Sequence, residues 1–216
     1  YTQSVAGTPQ GGVISPLLAN VYLNPLDHLL IAQGYAAVRY ADDMVILCRT
    51  RAEAEAALEL LRQWLSAAGL ELHPEKTRIV DLTQARAFFD FLGYRFKRTA
   101  HRILRFPRPK SVAKLRDTVR PLTRRTNGRS LPDTIRRLNP VLRGWFLYFQ
   151  HSCSNVFPKL DGWVRMRLRS ILRKRQHRRG RGRGLDHRRW PDAFFATHGL
   201  FSLAAAHADA CQSARR

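Results

Sequence analysis

The tetrad Tyr40-Ala41-Asp42-Asp43 separates two runs of strand-forming residues, Ala36-Ala37-Val38-Arg39 before it and Met44-Val45-Ile46-Leu47-Cys48 after it. Short apolar runs with a tight polar break between them predict a β-hairpin. That hairpin carries two adjacent carboxylates at its tip. Like charges side by side repel unless a cation neutralises them. A hard divalent ion with oxygen ligands, such as Mg²⁺, would do so. A surface hairpin whose turn merely uses Asp, a favoured turn residue, is the simpler alternative.

Charge divides the chain. The 216 residues carry a net charge of +22. Residues 1–93 hold 7 Lys/Arg and 10 Asp/Glu, a net of −3, whereas residues 94–216 hold 31 and 6, a net of +25. All the positive charge therefore sits in the second part. This predicts a polyanion-binding module joined to a near-neutral one, with nucleic acid as the polyanion. A membrane surface would instead need a basic helix with a bulky apolar face or an anchor. No run of about 18 apolar residues is present, so no transmembrane helix is expected. No signal peptide is visible. Cys48, Cys153 and Cys211 show no CxxC spacing. Free thiols in a reduced, cytoplasmic setting are the default. His151 and Cys153 could form half a zinc site, but no second half is evident. The chain opens at Tyr1 rather than Met, as a piece of a longer protein would.

Local signals predict the elements. Ser15-Pro16 opens a helix from about Leu17 to Ala32, which Pro25 should kink or split. After the hairpin, residues 51–68 read as a helix ending near Gly69. Strands over Leu70 to Leu72 and Thr77 to Leu82 follow, joined through His73-Pro74-Glu75-Lys76. Phe91 to Phe96 and Ile103 to Phe106 form a further hairpin. This order is an α+β layout. Pro107-Arg108-Pro109 marks a boundary, and helices follow over about 111–125, 132–150 and 155–176. The Arg/Gly tract from Arg178 to Gly184 reads as flexible. Trp190-Pro191-Asp192 opens a short helix, and an apolar patch runs from Phe194 to Leu203.

An ordered series of motifs runs along this frame. Gly7-Thr8-Pro9-Gln10-Gly11-Gly12 comes first, then Ser15-Pro16-Leu17-Leu18-Ala19-Asn20 and Tyr40-Ala41-Asp42-Asp43. Gly69-Leu70, Pro74-x-Lys76-Thr77 and Phe91-Leu92-Gly93 complete the first part. Leu138-Asn139-Pro140, Gly144-Trp145-Phe146-x-Tyr148-Phe149, Arg189 to Phe195 and Gly199 to Leu203 follow in the second. The series resembles the bacterial group II intron-encoded reverse transcriptases, or maturases, over nearly the whole chain. The resemblance implies a partial polymerase palm of antiparallel hairpins and packed helices over 1–106. An all-α basic maturase (thumb) domain over 107–176 and a basic tail with a short helix over 177–216 would follow it.

The resemblance also implies roles. Asp42 and Asp43 would hold two Mg²⁺ ions and act catalytically with Lys76, the counterpart of a lysine that neutralises departing pyrophosphate. Gln10, Gly11, Tyr40 and Ala41 would line the template and nucleotide pocket. Phe91, Leu92 and Gly93 would form the primer grip. Implied partners are intron RNA, a template–primer duplex and deoxynucleoside triphosphates, with no membrane and a homodimer left open. Lys76 could equally be a solvated hairpin lysine, and Phe91 and Leu92 plain core.

The family holds its metals with a third carboxylate, upstream of the Gly-rich loop, where its template-binding fingers also lie. Six residues precede that loop here. The 216 residues alone are therefore expected not to polymerise. Splicing assistance by RNA binding without polymerisation is the alternative function. Retron-like lineages fit the long maturase-like region less well, and no endonuclease segment is evident after residue 203.

The basic part has its own pattern. From Arg165 to Arg189 there are 12 Lys/Arg and one acidic residue. Arg165, Arg169 and Arg173 recur every four residues and share one helix face, a stripe expected to track RNA phosphates with Lys174, Arg178 and Arg179. The aromatic cluster at Trp145, Phe146, Tyr148 and Phe149 could stack on bases, but core is the favoured reading.

Overall fold

A computed structural model describes residues 13–100 and 102–213. The chain divides into two compact units, Tyr1–Leu92 and Gly93–Arg216. Both contain helices and the sheets are antiparallel, so the fold is α+β.

In the first unit, α1 (Ser15–Ala32) precedes the hairpin of β1 (Ala36–Tyr40) and β2 (Asp43–Leu47). Helix α2 (Arg51–Ala67) follows, and β3 (Phe89–Phe91) closes the unit. Alternation along β1 turns Ala37 towards the helices and leaves Val38 exposed. Leu26, Leu30 and Leu65 form the buried centre, with Ala37, Met44, Ile46 and Trp64 packed against it. Thr50 caps α2 by accepting from the Glu53 N–H, and Glu53 accepts in return from the Arg49 N–H. Gly69 closes the helix as its sequence position predicts, donating to Ser66 while Leu70 donates to Leu65.

Three expectations for this unit change. α1 runs through Pro25 as one helix. The hydrogen bond that Pro25 cannot make belongs to the Val21 carbonyl, and Val21 lies on the solvent side, where water can serve. Leu70 to Leu72 and Thr77 to Leu82 form no strands. Leu72 packs into the core without a ladder partner. The run from Phe91 to Phe96 breaks at Leu92 and Gly93, both with positive φ.

The second unit starts with β4 (Tyr94–Arg98) and β5 (Ile103–Pro107), an antiparallel hairpin pairing Tyr94 with Pro107 and Arg98 with Ile103. Helices α3 (Pro109–Leu122), α4 (Leu131–Phe149) and α5 (Val156–Arg175) match the predicted positions. Three further helices follow: α6 (Leu185–Arg189), α7 (Asp192–Thr197) and α8 (Leu203–Ser213). One core joins them, from Leu115 and Val119 through Leu138, Phe146 and Phe157 to Trp190, Phe195 and Leu203. The aromatic cluster is mostly core. Phe146 and Phe149 are buried, and Trp145 packs on Phe149 and Phe157, while Tyr148 is exposed.

The tail is docked through a polar seam on α5. Asp161, Arg165, Arg169 and Arg173 occupy one face at four-residue spacing. Asp161 is 4 % exposed and accepts from Ser202 Oγ and from the N–H groups of Leu203 and Ala204 at the start of α8. Arg169 donates to the Trp190 carbonyl at 2.9 Å and to Asp192 at 2.6 Å. Arg173 donates to Asp186 at 2.5 Å and to the Arg179 carbonyl at 2.8 Å. The Arg/Gly tract, expected to be flexible, lies against this seam. A Cβ added at Gly182 would fall 2.8 Å from the Arg169 Cβ, so only glycine admits the approach.

Asp186 is held below its ordinary value of 3.8, first by the Arg183 N–H and then by Arg173, against a burial effect that raises it. A depressed carboxylate stabilises the fold above its unfolded value and loses that effect as pH falls below about 4. Arg169→Ala removes the centre of the seam and should cost about 2 kcal/mol, the scale of a lost hydrogen bond to a charged group. A lower urea midpoint and faster tryptic cleavage between Arg178 and Arg183 would register it. An unchanged midpoint would show that the seam contributes nothing.

Candidate functional site

Asp42 sits in the β1–β2 turn and Asp43 opens β2 opposite Tyr40. Both carboxylates are exposed, and neither has an ion-pair or hydrogen-bond partner among the described residues. Ala41, at the first central position of the turn, has φ 53°. A non-glycine residue there costs about 1–3 kcal/mol and persists only when its surroundings hold it.

Arg39 does the holding. Its neighbours along β1 alternate faces, so it points with Ala37 towards α1 while Tyr40 faces away. The guanidinium donates from Nε to Asp27 Oδ1 at 2.8 Å and from Nη2 to Asp27 Oδ2. Nη1 donates to Asn20 Oδ1 and to the Ala41 carbonyl, both at 2.9 Å. Asn20 and Asp27 are seven residues apart, two turns along one face of α1. One planar group thereby ties the acidic turn to the helix. The Arg39 side chain is 9 % exposed. Its hydrogen bond is the main reason that the Asp27 carboxyl lies below 3.8, outweighing burial, which raises it.

Other expected residues are placed as follows. Tyr40 is exposed beside the turn, and Ala41 is half-buried. Lys76 is exposed in the turn after α2, where its N–H donates to the His73 carbonyl. No hydrogen bond or ion pair among the described residues links it to Asp42 or Asp43. Phe91 and Leu92 are half-buried. The Gly93 carbonyl accepts from the Arg108 N–H at 2.9 Å, and its Cα faces the rings of Tyr148 and Phe149. Gln10 and Gly11 lie outside the described residues.

The arginine stripe departs from expectation. Arg165, Arg169 and Arg173 turn inward to the seam, with side chains 19 %, 3 % and 14 % exposed. Their charges meet Asp192 and Asp186, so they hold the tail rather than offer a free phosphate track. Lys174, Arg178 and Arg179 are exposed. Spacing showed that the three arginines share a face. Asp186 and Asp192, isolated carboxylates in a basic tail, were the signal for which way that face points.

Residues 2–96 match the reverse transcriptase (RNA-dependent DNA polymerase) family, and residues 112–190 match the group II intron maturase-specific domain. This chain belongs to the group II intron reverse transcriptase–maturases. Protein YkfC of Escherichia coli K12 is 34% identical over 131 residues, covering 44% of this chain and 34% of that protein. The group II intron-encoded protein LtrA of Lactococcus lactis subsp. cremoris is 55% identical over 31 residues, or 14% of this chain and 5% of LtrA. The match thus spans about a third of the first relative and about a twentieth of the second. In this reverse transcriptase–maturase chain, the acidic turn falls in the polymerase match, and α3 to α6 fall in the maturase match.

Asp27→Asn keeps the shape of the clamp and removes its charge. It should lower stability at pH 7 by about 2 kcal/mol, as for a hydrogen bond to a charged group. Because the folded Asp27 value is depressed, the difference between variant and parent should shrink as pH falls below about 4. Urea unfolding at pH 7 and pH 3 measures both. A difference independent of pH would remove Asp27 ionisation from the account.

Proposed function

We propose that the chain is part of an RNA-directed DNA polymerase and maturase that binds group II intron RNA, aids its splicing and copies it into DNA. One observation carries this reading. An exposed, unpaired Asp42-Asp43 pair, locked by Arg39, lies in the same chain as a maturase-specific helical part with a strongly positive charge.

The pair fits a metal role. Mg²⁺ is typically bound by one or two carboxylates and completes its shell with water and substrate phosphates. Asp42 and Asp43 supply hard oxygen donors, open to solvent and, among the described residues, free of competing cations. When bound, the ions would supply activation of a primer hydroxyl and neutralisation of triphosphate charge. Arg39 fixes the turn and leaves both carboxylates unengaged. Tyr40, exposed on the opposite face of β1, would border the primer end and incoming nucleotide. Lys76 would neutralise charge on the departing pyrophosphate, and Phe91, Leu92 and Gly93 would grip the primer through backbone. Gln10 and Gly11 complete the nucleotide pocket in this reading. The template–primer duplex and deoxynucleoside triphosphates are its substrates. No described helix is long and apolar enough to cross a membrane. Three free thiols support a bacterial cytoplasmic setting.

The test is primer extension on an RNA template with Mg²⁺, using the reading frame that contains this chain, with Asp42→Asn beside it. Loss should exceed about 100-fold, since groups that merely orient metal ligands are already worth 10–100-fold. Mn²⁺ binding, read by electron paramagnetic resonance, should weaken in the same variant. An active parent with an equally active Asp42→Asn variant would overturn the metal role. An inactive parent that still binds intron RNA would favour the splicing cofactor.

A further inference from the structure

With the α5 stripe turned inward, the phosphate-binding surface of the second unit must lie elsewhere. We propose that the cleft between the α3–α4 loop and the last turn of α5 binds the phosphodiester backbone of the intron RNA through Arg125, Arg129, Lys174 and Arg175. This inference rests on the maturase reading above and names its contact surface.

The cleft is about 660 Å³ in volume and brings these four cations together around Gly128. Among the described residues, the carboxylate ion-paired with a cleft cation is Asp133. That group lies 3.8 Å from Arg129 and is shared with Arg136 at 3.0 Å and Arg137 at 3.4 Å. Two of the guanidiniums meet neutral partners. Arg125 donates to the Arg178 carbonyl at 3.5 Å, and Arg175 donates to the Arg129 carbonyl. A carbonyl orients a guanidinium without cancelling its charge, so apart from the long Arg129–Asp133 contact the cleft keeps its positive charge. The stripe shows the opposite arrangement, with arginines set against Asp186 and Asp192.

A structural explanation for the basic last turn of α5 exists but is too small. Cations there complement a helix terminus worth roughly half a negative charge. Four converging cations exceed that several-fold.

The cleft is also built for close approach. The Asn127 side chain donates to the Leu122 carbonyl and accepts from the Arg129 N–H, which staples the loop. Nothing lies within 4 Å of where a Gly128 side chain would be, so a sugar-phosphate chain meets no obstacle there. α4 begins at the same place, capped by Ser130, and directs its positive end towards the loop. An A-form RNA helix presents its backbone and 2′-hydroxyls for recognition by shape, which suits a fixed cluster of donors.

The test compares the 216-residue chain with a variant carrying Arg125→Gln, Arg129→Gln, Lys174→Gln and Arg175→Gln. A charge-matched control carries Lys110→Gln, Lys114→Gln, Lys159→Gln and Arg188→Gln, exposed residues outside the cleft. The probe is a fluorescein-labelled RNA hairpin, with a DNA hairpin of the same sequence beside it. Anisotropy titrations run from 50 to 200 mM salt, and urea unfolding confirms that each variant folds. The cleft variant should lose more than about tenfold in RNA affinity, and its salt slope should fall by about one per cation removed. The control should keep the parent slope. Equal losses in control and cleft variants would overturn the cleft assignment while leaving RNA binding intact. Equal losses for RNA and DNA would overturn the choice of RNA. A parent chain that binds neither probe would sink the maturase reading and this inference together.

Discussion

An ionised group that leaves water needs an opposite charge or several donors within hydrogen-bond reach, because its desolvation costs several kcal/mol. In this chain that constraint sorts the cations into two populations. Arg39, Arg165, Arg169 and Arg173 are withdrawn from solvent, and each meets a carboxylate. Asp161, withdrawn in the same way, meets the amino end of α8. Arg167, partly withdrawn, is met by the Thr123 hydroxyl and the Arg120 and Thr123 carbonyls instead, and most of the other cations of the second unit stay at the surface. Few carboxylates face them, since residues 94–216 hold only 6 against 31 Lys/Arg. Half of those few are engaged in the seam. Asp161 and Asp186 are buried there and Asp192 pairs at its rim, which leaves the outside strongly positive.

The same rule links the acidic turn to the rest of the first unit. Asp42 and Asp43 repel each other at the hairpin tip, and Ala41 adopts an unfavourable φ between two strands. Neither feature is stabilised by its own sequence. Arg39 supplies the stabilisation from one side, through the Ala41 carbonyl, and takes its own compensation from Asp27 on the other. The carboxylates are left unengaged because the arginine is satisfied elsewhere. Had Arg39 paired with Asp42, the turn would be stable and chemically closed.

Much of this was legible in the residues. The hairpin tip, the α2 limits and the three long basic helices followed from periodicity, capping residues and turn chemistry. The reverse transcriptase and maturase character followed from the ordered motifs. Two kinds of information were not local. A four-residue spacing places Arg165, Arg169 and Arg173 on one face, but whether that face meets water depends on carboxylates further along the chain, 13 residues from Arg173 to Asp186 and 23 from Arg169 to Asp192, in segments whose helices were only partly anticipated. Likewise Leu70 to Leu72 and Thr77 to Leu82 have strand-like composition, and strand formation needs a neighbour that residue preference cannot supply. Arg39 was hidden for a similar reason. It reads as one polar residue in an alternating strand until α1 is folded against it.

These two populations of cations should respond differently to ionic strength, and that difference bears on how the two parts can work together. Salt screens exposed charges over roughly 8–10 Å at physiological strength and screens buried pairs much less. The cleft around Gly128 therefore weakens its hold on a polyanion as salt rises. The Arg39–Asp27 clamp and the Arg173–Asp186 pair of the α5 seam keep their geometry over the same range. A nucleic acid can be released by screening while the tail stays docked and the acidic turn stays set. The arrangement separates binding strength from site geometry, and it does so by the placement of a few carboxylates.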